Sequence, residues 1–144
     1  MKMIFTDKVV FNSTDKSVSK PMRATDGSAG HDFYLPETTT IEPKTVVIVD
    51  SKITAKIPLG FVMHLYPRSS IGIKHNIMLA NTVGVIDSDY TDTIKIALYN
   101  YSDKAVTFEK GERIMQAVTT PYIVSTDTAL NSKRNGGVGS TGRK

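Results

Sequence analysis

Four groups of polar residues in this sequence have types and spacings suited to chemistry on a bound ligand. In the first group, Asp87 follows the apolar pair Val85-Ile86, and a carboxylate in that setting can take a proton from water as a general base. The alternative is a turn aspartate that bonds its own backbone. Asp89 and Asp92 follow closely, so the segment is an acidic loop after a short apolar run.

The second group is Arg68-Ser69-Ser70, directly after Pro67. A guanidinium beside two hydroxyls and free backbone amides, at the start of a helical turn, is a natural phosphate site. The alternatives are that Ser69 only caps a helix and that Arg68 is only a surface cation. Gly72 and Asn76 limit any helix here to one or two turns.

Gln116, the third group, is a polar residue inside an otherwise apolar strand. It is in phase with Ile114 and Val118, so we expect its amide to point to the buried or inter-chain side, with Met115 and Ala117 pointing away. A buried amide requires hydrogen-bond partners. These partners are either structural backbone groups or a ligand and its water.

The fourth group is the C-terminal segment Lys133–Lys144, with the sequence KRNGGVGSTGRK. Its glycines leave backbone N–H groups unhindered, so with its hydroxyls and four cations it can wrap a polyphosphate as a mobile arm. A frayed terminus is the alternative. The segment is not a Walker motif, because Arg143 stands in place of the required lysine.

Alternating hydrophobicity predicts the strands that position these groups. Ile94, Ile96 and Leu98 fall on one face of a strand, and Phe61, Met63 and Leu65 on one face of another. Further strands are predicted elsewhere in the chain, among them Lys2–Phe11 and the β-branched run Val46–Val49, which suits a strand covered on both faces. Many short strands divided by turn residues predict an all-β sandwich or barrel with at most one short helix.

Composition narrows the class of protein further. The chain has 144 residues, no cysteine and a net charge of +4, which predicts one domain without disulfides or thiolate metal sites. Four of the basic residues lie in the last dozen positions, which favours a local anionic ligand over a nucleic-acid-binding face. No apolar run approaches the roughly 20 residues of a membrane span. We expect a cytoplasmic protein.

Taken in order, these groups resemble the motifs of the trimeric deoxyuridine triphosphatases, or dUTPases. The resemblance extends from about residue 21 to the C-terminus and covers five segments. These are Gly27–Phe33, Pro67–Gly72, Asn81–Tyr90, Gly111–Gln116 and Gly136–Gly142.

The resemblance implies a β-sandwich of jelly-roll type, a homotrimer with three active sites at subunit interfaces, and two parts of the chain. Residues 1–130 would form the β domain and residues 131–144 an arm that closes over the site. The implied reaction is hydrolysis of dUTP to dUMP and pyrophosphate. Mg²⁺ would be held by the substrate triphosphate and water, without a direct protein ligand.

The resemblance also implies roles for individual residues. Asp87 would orient and deprotonate the attacking water, Arg68 and Gln116 would complete the catalytic set, and Asp32 would shape the site. Tyr90 would pack against the deoxyribose. The remaining substrate-binding residues would be Ser69, Ser70, Asn81, Gly84, Val85, Ile86, Lys133, Arg134, Val138, Gly139, Ser140 and Thr141.

Five positions depart from the pattern of the family, among them His31, which stands where tyrosine is common. Val138 stands where a phenylalanine stacks on the uracil, which keeps an apolar cover but loses the aromatic face. Lys133 stands where arginine is usual and keeps the charge without the bidentate fork. Arg134 and Asp92 stand where glycine is usual. We predict a working lid that closes less tightly.

Three alternative functions stay open from the sequence. A dCTP deaminase of the same fold would need a glutamate near the base, and Glu109 and Glu112 flank a turn remote from the Asp87 segment. A second, non-enzymatic role in binding an unknown regulatory protein is compatible with the sequence. A purely structural, capsid-like jelly roll leaves the ordered set of motifs unexplained.

Overall fold

The computed structural model describes residues 8–126 and Arg134. The elements are antiparallel strands and one short helix within residues 8–126, which confirms the predicted fold class. They are β1 Val10–Ser13, β2 Met22–Arg23, β3 His31–Tyr34, β4 Thr39–Ile41, β5 Val46–Asp50, β6 Ile53–Lys56, β7 Phe61–Pro67, α1 Ser69–His75, β8 Ile77–Leu79, β9 Gly84–Ile86, β10 Lys95–Asn100, β11 Val106–Phe108 and β12 Arg113–Pro121.

The strands form jelly-roll-like layers. The largest sheet has the order β2-β3-β12-β7-β9, and a second has the order β5-β10-β8. The pairs β1-β6 and β11-β4 complete the fold. In the large sheet β12 lies between β3 and β7, both of which are far from it in sequence, so the site residues on these strands are brought together only by the tertiary fold.

One hydrophobic core joins the two larger sheets. Phe33, Met63 and Leu65 come from the large sheet, and Ile96 and Leu98 come from β10; all five are almost completely buried. Their alternation with half-exposed residues is the period of two that a strand with one buried face requires. The predicted inward faces of β7 and β10 are confirmed.

Helix α1 is short for reasons visible in its ends. Arg68 is its N-cap residue with extended backbone, and no side chain caps the helix. Asn76 ends the helix in the left-handed conformation, with its N–H bonded to the carbonyls of Ile71 and Gly72, a geometry that asparagine tolerates well. Ser69 is therefore not the cap residue, and its hydroxyl is left exposed.

Two expectations about strands need correction. The run Val46–Val49 is not covered on both faces in the single chain, since Val46 is 51% and Ile48 68% exposed. Val46 and Ile48 share the outward face of β5, which no other element of the described chain covers. The first strand, expected at Lys2–Phe11, is observed at Val10–Ser13, and residues 1–7 lie outside the described part.

Two further expectations depend on parts of the chain beyond this description. The division into a domain and an arm at residue 130 stays a prediction, because Arg134 is the one residue of the arm that the structure describes. In the described part of the chain, no helix is long and apolar enough to cross a membrane. The cytoplasmic location also stays a prediction.

Candidate active site

Asp87 lies at the exposed end of a tightly packed edge strand. It directly follows β9, which pairs with β7. Gly84 lies opposite Leu65, and a Cβ on this glycine would be 2.9 Å from the Leu65 Cβ, so only glycine lets β9 approach β7 this closely. Ile86 anchors the strand in the core, while Asp87 points to solvent. The local sequence therefore holds the Asp87 carboxylate at a rigid rim.

The Asp87 carboxylate faces a cation from the C-terminal segment. The guanidinium of Arg134 contacts both Asp87 and Asp89, with its Nε donating to Asp89 Oδ1 at 2.8 Å. The same guanidinium lies 5.9 Å from the centre of the Tyr90 ring. The hydrogen bond to Asp89 raises the pKa of Arg134, so the cation is permanent. Asp87, Asp89 and Arg134 line a cleft of about 310 Å³ with Leu59, Ser88 and Tyr122, called the hairpin cleft below.

Arg68 lies in a second cleft, beside a buried carboxylate. Asp32 is 5% exposed and lies between two arginines, with Arg68 Nε 3.4 Å from its Oδ1 and Arg113 Nη1 3.2 Å from its Oδ2. Arg68 also donates to the Arg113 backbone carbonyl at 3.2 Å. A buried carboxylate fixed by two cations orients both guanidinium groups. Arg68 is thereby presented to the cleft in a defined position.

Gln116 lies in the same cleft, on the half-exposed face of β12 and not on the face buried in the core, so of the two expected sides the buried one is excluded and the inter-chain one stays a prediction. Met115 and Ala117 are the core residues, and Gln116 shares the outer face with Asp32. The reason is a register shift between Arg113 and Met115, because such a bulge lets Ile114 and Met115 both be buried and reverses the phase of the strand. The in-phase assignment with Ile114 was wrong.

The amide of Gln116 is held by two neighbours. Its Nε2 donates to the Pro67 carbonyl at 3.3 Å, which leaves Oε1 beside Gly30. A Cβ at Gly30 would lie 2.4 Å from that oxygen, so the glycine makes the space that the amide occupies. Gly30 and Gln116 line a cleft of about 280 Å³, called the arginine cleft below. Its walls also include Ala24, Ser28, Ala29, Asp32, Arg68, Ser69 and Val118.

The two clefts share no residue and lie well apart on one chain. Ile86 pairs with Met63, whereas Gln116 pairs with Tyr66. Met63 and Tyr66 are three positions apart, so Ile86 and Gln116 are separated by about 10 Å along the strand direction. Because β7 lies between β9 and β12, they are also separated by about 10 Å across the sheet. The structure brings Arg68, Ser69, Gln116 and Asp32 together and leaves Asp87 and Tyr90 elsewhere.

The other predicted residues have mixed placements. Ser69 lines the arginine cleft, whereas Ser70 does not. Asn81 is exposed in the turn between β8 and β9, and Val85 is exposed on β9. Arg134 is in the hairpin cleft. Lys133, Val138, Gly139, Ser140 and Thr141 lie outside the described residues, so their roles stay predictions.

Sequence reasoning missed two contributors to these clefts. Arg113 was not singled out, although it is the second partner of Asp32. The backbone carbonyl of Thr93, which accepts a hydrogen bond from the Tyr90 hydroxyl at 2.9 Å, was also missed. Arg113 directly precedes the predicted strand Ile114–Val118, and nothing in the local pattern pointed to Asp32 as its partner; the Thr93 carbonyl gave no signal, because every residue has a backbone carbonyl.

The two candidates for the single glutamate that a deaminase would need are engaged elsewhere. Glu112 Oε1 accepts the Glu109 backbone N–H at 3.0 Å, and Glu109 Oε2 accepts the Thr38 hydroxyl at 2.9 Å. Both carboxylates thus support the turn between β11 and β12. Neither lines the hairpin cleft or the arginine cleft.

The carboxylates near the clefts also limit where a metal ion can bind. Both oxygens of Asp32 face arginines, and Asp87 and Asp89 face Arg134. Among residues 8–126 and Arg134, no group of three or more histidine, aspartate or glutamate side chains is arranged to hold a metal ion. The carboxylates of Asp32, Asp87 and Asp89 are thus each paired with an arginine.

The antiparallel β-sandwich carries a rim carboxylate and an arginine-lined cleft, a combination suited to an anionic ligand. A family model described as dUTPase matches residues 10–142, and the chain belongs to the dUTPase family. A deoxyuridine 5′-triphosphate nucleotidohydrolase of Hydrogenobaculum sp. (strain Y04AAS1) is 36% identical over 143 residues, which cover 95% of this chain and 99% of the relative.

Solved structures show the same fold. The crystal structure of dUTPase from Streptococcus mutans has a TM-score of 0.74 and 32% identity, and the match covers 81% of this chain and 98% of that one. A mutant dUTPase from phage phi11 of S. aureus has a TM-score of 0.78 and 18% identity, with 88% and 98% coverage. That phage structure is described as revealing the coordination of a structural Mg(II) ion.

Proposed function

We propose that this chain hydrolyses dUTP to dUMP and pyrophosphate, with Asp87 as the general base. The observation that carries the proposal is the position of Asp87, an accessible carboxylate fixed at the rim of β9 in a chain of the dUTPase family. A dUTP diphosphatase would control the level of dUTP and supply dUMP.

The proposed step is an in-line displacement between the α- and β-phosphates. A water molecule loses a proton to the Asp87 carboxylate as its oxygen attacks phosphorus, and the bridging oxygen leaves with pyrophosphate. Arg68 absorbs charge on the phosphates, because its guanidinium is held toward the cleft by Asp32. The Gln116 Oε1, which is not used by Pro67, holds an ordered water.

The hairpin supplies the proposed base and sugar selectivity. Backbone groups of Gly84–Ile86, with Asn81, would pair with the uracil edge, and a wrong base would leave buried groups unpaired. Tyr90 would pack on the deoxyribose and exclude a 2′-hydroxyl. The close packing of Gly84 on Leu65 supports this role, because a rigid backbone discriminates better than a flexible one.

Arg134 has two roles in this proposal. Its contact with Asp87 keeps the carboxylate from acting as a base, since a guanidinium bonded to the oxygen occupies the site of the proton acceptor. When the substrate binds, the guanidinium moves to the phosphates, which are stronger anionic partners. The other arm residues, Lys133, Val138, Gly139, Ser140 and Thr141, would join it over the substrate.

The metal ion of the proposed reaction is Mg²⁺, whose ligands are typically phosphate oxygens, water and one or two carboxylates. We propose that it enters with the triphosphate, since the described carboxylates near the clefts are already engaged by arginines. When bound, it would neutralise charge on the phosphates and orient them. Arg68 and Ser69 hold the protein side of the same phosphates.

A homotrimer with shared active sites is supported by the distance between the clefts. Asp87 and Gln116 are separated by roughly 15 Å or more within one chain, by the spacing of residues and strands, which is too far for both to contact one reacting phosphate. A second copy can bring its arginine cleft to the hairpin of the first. The exposed apolar residues Val46, Ile48, Ile123 and Val124 give surface for such contacts.

The test is pyrophosphate release from dUTP, dTTP, dCTP and UTP, with and without Mg²⁺. We expect dUTP to be the preferred substrate. Asp87→Asn keeps the size of the side chain and removes the base, so we expect kcat to fall by about 10²- to 10⁴-fold. Ammonia release from dCTP without pyrophosphate release from dUTP would contradict the proposal.

Asp89→Asn is the matched control. Asp89 shares the Arg134 contact and the hairpin cleft with Asp87, and the substitution makes the same change of charge. We expect it to retain kcat within a few-fold. Equal losses in the two variants would mean that the negative charge of the hairpin matters and that Asp87 has no special role as a base.

A further inference from the structure

A polar chain behind the hairpin cleft connects Tyr90 with strand β5. The Tyr90 ring is 8% exposed, and its hydroxyl donates to the Thr93 carbonyl at 2.9 Å. At the other end of the residue, the backbone N–H donates to the Asp87 carbonyl at 3.1 Å. Tyr90 is thus fixed both at its backbone and at the far end of its ring.

Thr93 is held in turn from two sides. Its backbone N–H donates to Asp92 Oδ1 at 2.7 Å, and its hydroxyl accepts Lys95 Nζ at 2.6 Å. Thr93 is itself buried. A buried polar residue whose groups are all paired has one preferred position, so the carbonyl that receives the Tyr90 hydroxyl cannot shift without breaking these bonds.

Lys95 carries the connection to the next strand. Its Nζ lies 3.1 Å from Asp50 Oδ2, and the two residues are paired directly across β10 and β5. Asp50 also pairs with Lys52 Nζ at 3.3 Å and accepts the Lys52 backbone N–H at 3.0 Å. The ammonium of Lys95 therefore has two fixed partners, one on the hairpin side and one on the sheet.

The ionisation of these groups agrees with the geometry. Burial alone would raise the pKa of the Asp50 carboxyl, but hydrogen bonds from the Lys52 backbone and from Thr93, Lys95 and Lys52 side chains hold it well below its usual range. Burial, with the nearby Asp92 carboxylate, raises the pKa of the Tyr90 phenol. Asp50 is thus a carboxylate and Tyr90 a hydrogen-bond donor at neutral pH.

We infer that Lys95, with Asp50 as its counter-ion, is a positioning residue that fixes the Tyr90 ring through Thr93 and thereby sets the preference for a 2′-deoxyribose over a ribose. The inference rests on the proposed function for its substrate. Lys95 does not touch the sugar; it determines how far the ring can yield to an extra hydroxyl.

Two matched pairs of variants test the inference. Lys95→Met removes the ammonium that bonds Thr93, whereas Lys52→Met removes the other lysine on Asp50, which has no contact with Thr93 among its described bonds. Thr93→Val removes the hydroxyl with the shape kept, whereas Thr93→Ser keeps it. The ratio of kcat/KM for dUTP to that for UTP is measured for each.

We expect Lys95→Met and Thr93→Val to lower this ratio about tenfold, mainly through faster UTP hydrolysis. A change of this size corresponds to the net contribution of one hydrogen bond. Lys52→Met and Thr93→Ser should stay within about twofold of wild type. If Lys95→Met lowers only the melting temperature and leaves the ratio unchanged, Lys95 is merely structural and the inference is wrong.

A second readout does not depend on the enzyme activity. The ring ¹³C signals of labelled tyrosines are assigned for Tyr90 by their loss in Tyr90→Phe, and their shifts and widths are compared between variants. We expect the Tyr90 signals to move or broaden in Lys95→Met and Thr93→Val and to be unchanged in Lys52→Met. Unchanged Tyr90 signals in all three variants would overturn the inference, even if dUTP is not the substrate. If the signals move but the wild-type protein does not hydrolyse dUTP, the proposed function is overturned and the positioning of the Tyr90 ring by Lys95 still stands.

Discussion

Gln116 depends on a neighbour that has no side chain. A Cβ at Gly30 would lie 2.4 Å from Gln116 Oε1 and 3.1 Å from its Cβ. We therefore expect Gly30→Ala to drive the amide out of the arginine cleft and to lower kcat/KM for dUTP by about ten- to a hundredfold, since displacement of a catalytic group by about 1 Å costs that much. Steady-state pyrophosphate release measures the effect.

Gly27→Ala is the control for this substitution. Gly27 belongs to the same turn-rich connection, and a Cβ there would meet nothing within 4 Å. Its kcat/KM should stay within about twofold of wild type. A Gly30→Ala enzyme with wild-type kcat/KM would show that the Gln116 amide has no part in the reaction.

At the residue scale, the sequence predicted which residues lie in clefts better than it predicted the direction of their side chains. Asp87 and Arg68 were selected by type and neighbours, and both lie in clefts. Gln116 also lies in a cleft, but it was placed in phase with Ile114, whereas a bulge one residue away reverses the strand phase and takes Gln116 off the core face. Arg113 was missed since its partner, Asp32, is 81 residues away in the sequence and local patterns carry no information on such pairs.

At the element scale, the contact between β5 and β10 positions the hairpin. Asp50 and Lys95 are opposite each other across this pair, and the backbone N–H of Ile94 donates to Ile53 at 2.8 Å. Asp50→Asn keeps an acceptor for the Lys52 N–H and removes the charge. We expect the free energy of unfolding to fall at pH 7 by about 1 kcal/mol or less, since the carboxylate is 35% exposed and solvent screens it.

The pH dependence of that loss follows from the direction of the shift. The pKa of Asp50 is depressed in the folded protein, so its stabilisation is fully present above the unfolded pKa of about 4 and is lost as the pH falls through the folded value. Urea titrations should show a constant gap between wild type and Asp50→Asn from pH 5 to 7 and a narrowing gap below pH 4. A gap that stays constant down to pH 2 would contradict the assignment.

The strands themselves were largely predictable, and their environment was not. The alternation along β7 and β10 identified the inward residues, because a period of two is a local property. The exposure of Ile48 was not predicted, since a β-branched run looks the same whether its second face meets the same chain, another copy or solvent. Helix α1 ended where Asn76 predicted.

At the scale of the whole molecule, the fold separates the residues that the proposed reaction combines. β7 lies between the strand that leads to Asp87 and the strand that carries Gln116. Both clefts are nevertheless well ordered. The hairpin cleft is fixed by the close packing of Gly84 on Leu65, and the arginine cleft by the ion pairs of Asp32 with Arg68 and Arg113. Two well-formed half-sites on one chain are economically explained by an assembly in which each site takes one half from each of two neighbours.

This arrangement predicts that two inactive variants restore each other. Asp87→Asn disables the hairpin cleft and Arg68→Gln disables the arginine cleft. When equal amounts are unfolded and refolded together, about a quarter of the sites in randomly mixed trimers join an intact hairpin cleft to an intact arginine cleft. We therefore expect about a quarter of the wild-type rate of dUTP hydrolysis, and a native mass three times that of the 15.8 kDa chain. Differential mass tags on the two variants establish that mixed trimers form. If they form and the rate does not exceed the sum of the two variants alone, each site belongs to a single chain, and the distance between the clefts must then be closed by movement within that chain.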